Sequence, residues 1–246
     1  MNQDYKKALE LNKENTDRYY RKSIEKTEQQ KFLEKILHER FGDDFDQSLN
    51  IADIACGGGT LTHHLSSLYQ KANFSLVDYF DEALHLAKDL NQGERFTILN
   101  NSIYTLENFE DHTFDIVFCW QTLSWLEDPE AALQQLLRIT KPGGKLFLSS
   151  LFNLDHDVDI YSKVLDYTLE SGNQGIPFSY NTYSSYTIHK WIGKEVKELT
   201  LEKFIPNIDF QYEGKGIGTF TVNSDRGRLQ ISAGQLLNWA VLQIIK

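Results

Sequence analysis

Four residues could do joint chemistry if one turn brings them together: Asp53, Gly57, Gly59 and Asp78. Ionised carboxylates accept several hydrogen bonds or pair with a cation. The glycines of Cys56-Gly57-Gly58-Gly59 permit a tight turn at positive φ and leave no Cβ between backbone and ligand. Upstream, Ile51, Ala52, Ile54 and Ala55 have the content of a short buried strand. Downstream, Leu61, Leu65 and Leu68 recur at helical spacing over residues 60–70. Strand, glycine turn and helix start together form a cradle for a nucleotide cofactor, because the first helical N–H groups are free and the dipole is positive there. A dinucleotide fingerprint would need a third glycine three residues on. Thr60, Leu61 and Thr62 follow Gly59 instead, and the acid at Asp53 suits a cationic ligand better than phosphates.

Asp78 ends a strand over 74–77 and lies 19 residues beyond Gly59, close to the interval of about 20 expected of a ribose-binding acid. As a helix N-cap it competes with Asp81, which is better placed for that role. Tyr79 or Phe80 would flank a base. A helix over Asp81–Leu90 and a strand over 96–99 lead to Asn101, Ser102 and Ile103. The run Phe114–Trp120 is almost continuously apolar and so predicts a strand buried on both faces. After it come Gln121 and Trp125, a helix over 130–140, the turn Lys141-Pro142-Gly143-Gly144 and a fifth strand.

The stretch from Asp53 to Gly59 resembles motif I of the class I S-adenosylmethionine-dependent methyltransferases. The run FDIVFCWQTLSWLEDPEAALQQLLRITKPGGKLFLS resembles their region from the fourth strand onward, and the likeness covers about residues 50–151. It implies an α/β fold with a seven-stranded, mostly parallel Rossmann-like sheet, helices on both faces and an antiparallel last strand. The implied cofactor is S-adenosyl-L-methionine. Its cradle would comprise Asp53, Ala55, Cys56, Gly57 and Gly59, then Asp78 and Tyr79 at the ribose and base, and Cys119 and Trp120 at the end of the fourth strand. Asn101, with Ser102 and Ile103, stands where many members place an Asp for the adenine amino group; its amide oxygen can accept the same bond. An N-terminal segment often closes over the site in this family, which points to Tyr20 and Arg21 for the cofactor, Arg21 facing its carboxylate, and Tyr19 for the acceptor. A solvated helix face is the competing reading of that segment. Gln121, Trp125, Tyr183 and Tyr186 are candidates for the acceptor, with His189 as a catalytic base. Any of these tyrosines could equally belong to an aromatic packing seam.

The 246 residues suit one methyltransferase domain, with a helical lid segment (1–46), a cofactor core (47–151), a substrate cap (152–200) and C-terminal strands (201–246). Within these, the pattern predicts helices over Glu28–Phe41, within 152–171 and over 187–199, and a loop over 172–177. It also predicts strands over 208–212 and from about Trp239, and a hairpin over 218–232. Two cysteines offer no disulfide framework, and with no signal-like leader the expectation is cytoplasmic. A net charge of −10 argues against a nucleic-acid partner, and no apolar run is long enough for a membrane. Asp155-His156-Asp157 lacks a partner cluster, so no metal is expected. The expected function is methyl transfer to an oxygen or nitrogen of a small polar molecule. The alternatives are a non-catalytic cofactor-binding relative and a nicotinamide-dependent oxidoreductase, the latter disfavoured by Thr62 and Asp53.

Overall fold

The computed structural model describes residues 24–42, 45–154, 156–167, 176–204, 209, 211, 219–225, 227–232 and 238–246. Helix α1 (Glu28–Phe41) opens on a reciprocal capping box, Thr27 accepting from Gln30 N and Gln30 accepting from Thr27 N. Then follow β1 (Asn50–Ile54), α2 (Thr60–Leu68), β2 (Asn73–Asp78), α3 (Asp81–Leu90), β3 (Phe96–Asn100), β4 (Phe114–Trp120), α4 (Pro129–Ile139) and β5 (Thr140–Asn153). Asp128 caps α4 by accepting from Ala131 N, and Pro129 takes the first helical position, where no N–H is needed.

Strands β1 to β5 are mutually parallel in the order β3-β2-β1-β4-β5. Beyond β5 the sheet continues with β12 (Asn238–Ile245), antiparallel to it, and β9 (Glu198–Phe204), antiparallel to β12. The short β8 (Tyr183–Ser184) adds to the end of β5. This is the expected α/β sheet with its C-terminal strand reversed. Alternation along each strand splits the core between two faces. Leu33, Ile36 and Leu37 of α1 with Leu61 and Leu65 of α2 cover Ile51, Phe74, Phe118 and Phe147. On the other face, Leu133, Leu136 and Leu137 of α4 with Ile188 and Ile192 of α5 (Ser185–Ile192) cover Ala52, Ile54, Val117, Leu146 and Leu148. The C-terminal ends of five parallel strands thus share one edge, the place where such sheets bind ligands.

The chain beyond residue 154 departs from expectation. The helix expected within 152–171 is not formed by its described residues; β6 (Lys163–Asp166) and β7 (Ile176–Ser179) pair antiparallel there. Val164 is half-buried between exposed Lys163 and Leu165, the period-two pattern of a strand. Residues 172–175 of the expected loop lie outside the described residues, and 176–177 begin β7. The helix expected over 187–199 ends at Ile192, and Glu198–Phe204 is the sheet's edge strand. The strand expected at 208–212 falls mostly outside the described residues, and Asp209 and Gln211 lie in no strand. The hairpin forms as β10 (Thr219–Ser224) and β11 (Gly227–Ser232).

Candidate cofactor site

The glycine turn rests on backbone geometry. Ala55, Gly57 and Gly59 take φ values of 59°, 54° and 74°. For Ala55 that conformation is strained, since its Cβ crowds the backbone. Gly59 is required for a second reason: a Cβ there would lie 2.5 Å from Asn91 Nδ2 and 3.0 Å from both Ala87 and Leu76 side-chain carbons. The buried Asn91 amide donates to Gly59 O at 3.1 Å and Ala87 O at 3.0 Å, tying the turn to the end of α3.

Two carboxylates lie beneath this turn. Asp53 is 1% exposed. Its Oδ2 accepts from Thr62 Oγ1 at 2.7 Å, while its Oδ1 has no partner. Burial, with the nearby Asp78 charge adding to it, pushes its pKa up to about 7 against the opposing bonds from Thr62. Asp78 is 6% exposed and accepts from Gly57 N at 2.8 Å and Phe80 N at 3.0 Å. Burial raises its pKa too, and those backbone bonds hold the rise down. Each Asp78 oxygen keeps a further lone pair for an incoming hydroxyl. Asp81 is the first residue of α3 rather than its cap and accepts from Asn100 Nδ2. Cys56 and Cys119 line the same region, since both acids act on them. Burial lifts the Cys119 thiol to about 12 and Cys56 well above its ordinary value, so neither is a nucleophile.

Asn101 differs from expectation. Its Oδ1 accepts from Ser102 N at 2.7 Å and Thr105 Oγ1 at 3.4 Å, which leaves the buried Nδ2 donor unpartnered. The group it offers is therefore a donor and not an acceptor. Ile103 packs into the core, and Tyr79 sits edge-on to Phe80 at 5.7 Å.

At the end of β4, beyond Trp120, Gln121 is held at φ 55° by its N–H bond to Ser149 O. Its side-chain amide donates to Gln29 Oε1 of α1, a partner that no local sequence signal announces. Trp125 packs on Tyr180 at 4.6 Å and Phe178 at 5.7 Å, making an aromatic wall. The other cap candidates do not join it. Tyr183 is fully buried, receives a bond from Asn181 Nδ2 at 2.9 Å and packs edge-on against Trp191. Tyr186 is 62% exposed on α5. His189 is also exposed, its Nδ1 2.7 Å from Ser185 O of its own helix. Tyr19, Tyr20 and Arg21 lie outside the described residues, as does Asp155.

A family model described as a methyltransferase domain matches residues 52–148, the segment that carries the turn, both acids and Asn101. This segment belongs to the class I S-adenosylmethionine-dependent methyltransferases. Among curated relatives of the family, the ubiquinone biosynthesis O-methyltransferase of Vibrio cholerae is 29% identical over 103 residues, 41% of this chain. The match spans about two fifths (41%) of that relative's own length. The YcgJ protein of Bacillus subtilis shares the fold with a TM-score of 0.59 at 14% identity, over 86% of this chain and 97% of that one. The [4+2]-cyclase SpnF does so with a TM-score of 0.56 at 14% identity, over 87% and 80%. The fold therefore hosts more than one reaction, and the reaction has to be argued from the site.

Proposed function

We propose that the protein transfers the methyl group of S-adenosylmethionine to an oxygen or nitrogen atom of a small polar molecule, with oxygen preferred. The observation that carries this reading is Asp53 Oδ1, a buried carboxylate oxygen with no partner beside the glycine turn. An unpaired buried acceptor is costly, and a cation or donor arriving there relieves it. A pyrophosphate in that position would add negative charge next to two carboxylates. The bound cofactor supplies a methyl carbon activated by a sulfonium.

The chain's own residues hold and orient. Asp78 accepts the ribose hydroxyls with the lone pairs left by Gly57 N and Phe80 N. Asn101 Nδ2 donates to a ring nitrogen of the base. The Gln29–Gln121 amide pair receives the polar group of the acceptor, and Trp125 with Tyr180 covers its apolar side and excludes water. Methyl transfer needs the nucleophile in line with the methyl carbon, so positioning supplies much of the acceleration. Tyr183 acts as a core residue of the cap, and Tyr186 and His189 belong to its outer surface. The match to a quinone-pathway O-methyltransferase supports an oxygen acceptor. Incubation with methyl-labelled S-adenosylmethionine and a panel of phenols, catechols, short hydroxy acids and amines tests this. Labelled product from a hydroxyl compound is expected; cofactor binding with no labelled product across the panel overturns it.

A further inference from the structure

The sheet's opposite edge, at the start of β5 and the end of β12, carries a second cleft of about 200 Å³. It lies between the last turn of α1 and the sheet, and among the residues lining it are Arg40, Phe41, Lys145, Phe147, Glu198 and Gln243. Lys145 Nζ stands 3.6 Å above the centre of the Phe41 ring, and no carboxylate of a described residue is within ion-pair distance of it. The neighbouring cation is already matched, since Arg40 meets Glu198 at 2.9 Å and Glu202 at 3.5 Å. One uncompensated positive charge therefore faces the cleft. Partial burial draws the Lys145 pKa below the ordinary ammonium value, so a counter-charge there is favourable.

The body of the cleft is apolar and firmly backed. Phe147 stacks on Phe118 at 5.4 Å and meets Phe41 edge-on at 6.2 Å. Gln243 is 4% exposed, donates through Nε2 to Glu202 and leaves Oε1 without a partner. Glu198 among the lining residues disfavours a multiply charged anion. The volume is below the roughly 300–1,000 Å³ of a drug-sized pocket, which limits the ligand to a single ring or its equivalent.

The geometry points to a binding site for a small monocarboxylate with an aromatic or branched aliphatic body, its carboxylate on Lys145 and its body against the edge of Phe41 and Ile245. None of its lining residues belongs to the cofactor cradle, and it does not depend on the proposed methyl transfer. The test is calorimetric titration of the full chain, saturated with S-adenosylhomocysteine, using sodium benzoate and the isosteric neutral amide benzamide. Benzoate binds at least about tenfold more tightly than benzamide; Lys145→Arg retains binding, and Lys145→Met weakens it by about tenfold or more. Circular dichroism confirms that both variants are folded. No benzoate binding to the wild type, equal binding of benzamide, or full affinity in Lys145→Met overturns the assignment.

Discussion

The glycine cradle and the aromatic cap meet the same edge of the sheet, yet they were built under different constraints. In the cradle, backbone geometry fixes residue types: φ 74° and a 2.5 Å approach leave only glycine at position 59, and Gly57 N needs the carboxylate of Asp78. In the cap, side chains decide, and a tyrosine serves as well in a core as at a site. Tyr183 and Tyr186, three residues apart, end up fully buried and 62% exposed. Chemistry encoded in backbone turns is thus readable from types and spacing, whereas chemistry carried by interchangeable side chains is not.

Gly59→Ala is the strongest way to break this contrast. The new Cβ meets Asn91, Ala87 and Leu76 at a φ that L-residues rarely adopt, and the expected loss of folding stability is about 2–4 kcal/mol. Urea denaturation checks it; a loss below 1 kcal/mol would show that the turn adapts and that glycine is not dictated there.

Asp78→Ala comes next, with an expected loss of about 2–3 kcal/mol in cofactor binding. Because Asp78 also receives Gly57 N and Phe80 N, the melting temperature falls as well. A lower melting temperature with unchanged cofactor affinity would reduce Asp78 to a structural part of the turn. In the cap the effects are smaller. Tyr183→Phe strands the Asn181 amide and costs about 1 kcal/mol of stability, while Tyr186→Phe stays within about 0.5 kcal/mol. Both variants keep their methyl-transfer rate, and a loss of turnover in either would return the cap tyrosines to the acceptor site.

What the sequence made legible follows the same division. The strand, turn and helix of the cradle and α1 (Glu28–Phe41) appear where their patterns place them, because apolar periodicity and glycine requirements are local. Asn101 sits in the expected place with its amide turned around, since the orientation depends on the N–H of Ser102 rather than on residue type. The edge strand β9 was hidden because Leu199 and Leu201 follow directly on a helical run, and only their pairing with Ile244 and Leu242 makes them a strand. Gln29 lies 92 positions from Gln121, and no spacing rule connects them.

Asp53 supplies the most direct test of the central claim, that the cradle is built for a cationic nucleoside cofactor. Its carboxyl is raised from 3.8 to about 7 in the folded protein. The folded state thus holds a proton that the unfolded chain has released, so its stabilising contribution is complete below about pH 4 and is lost as pH rises through about 7. Binding of a cation favours the ionised form, so affinity for S-adenosylmethionine should rise between pH 6 and pH 8. Calorimetric titration of the wild type and Asp53→Asn across that range measures this. Binding of S-adenosylmethionine but not NAD is expected, tightening with pH in the wild type and with a flatter profile in Asp53→Asn. Heat from NAD alone, or the same pH profile in both proteins, would contradict it.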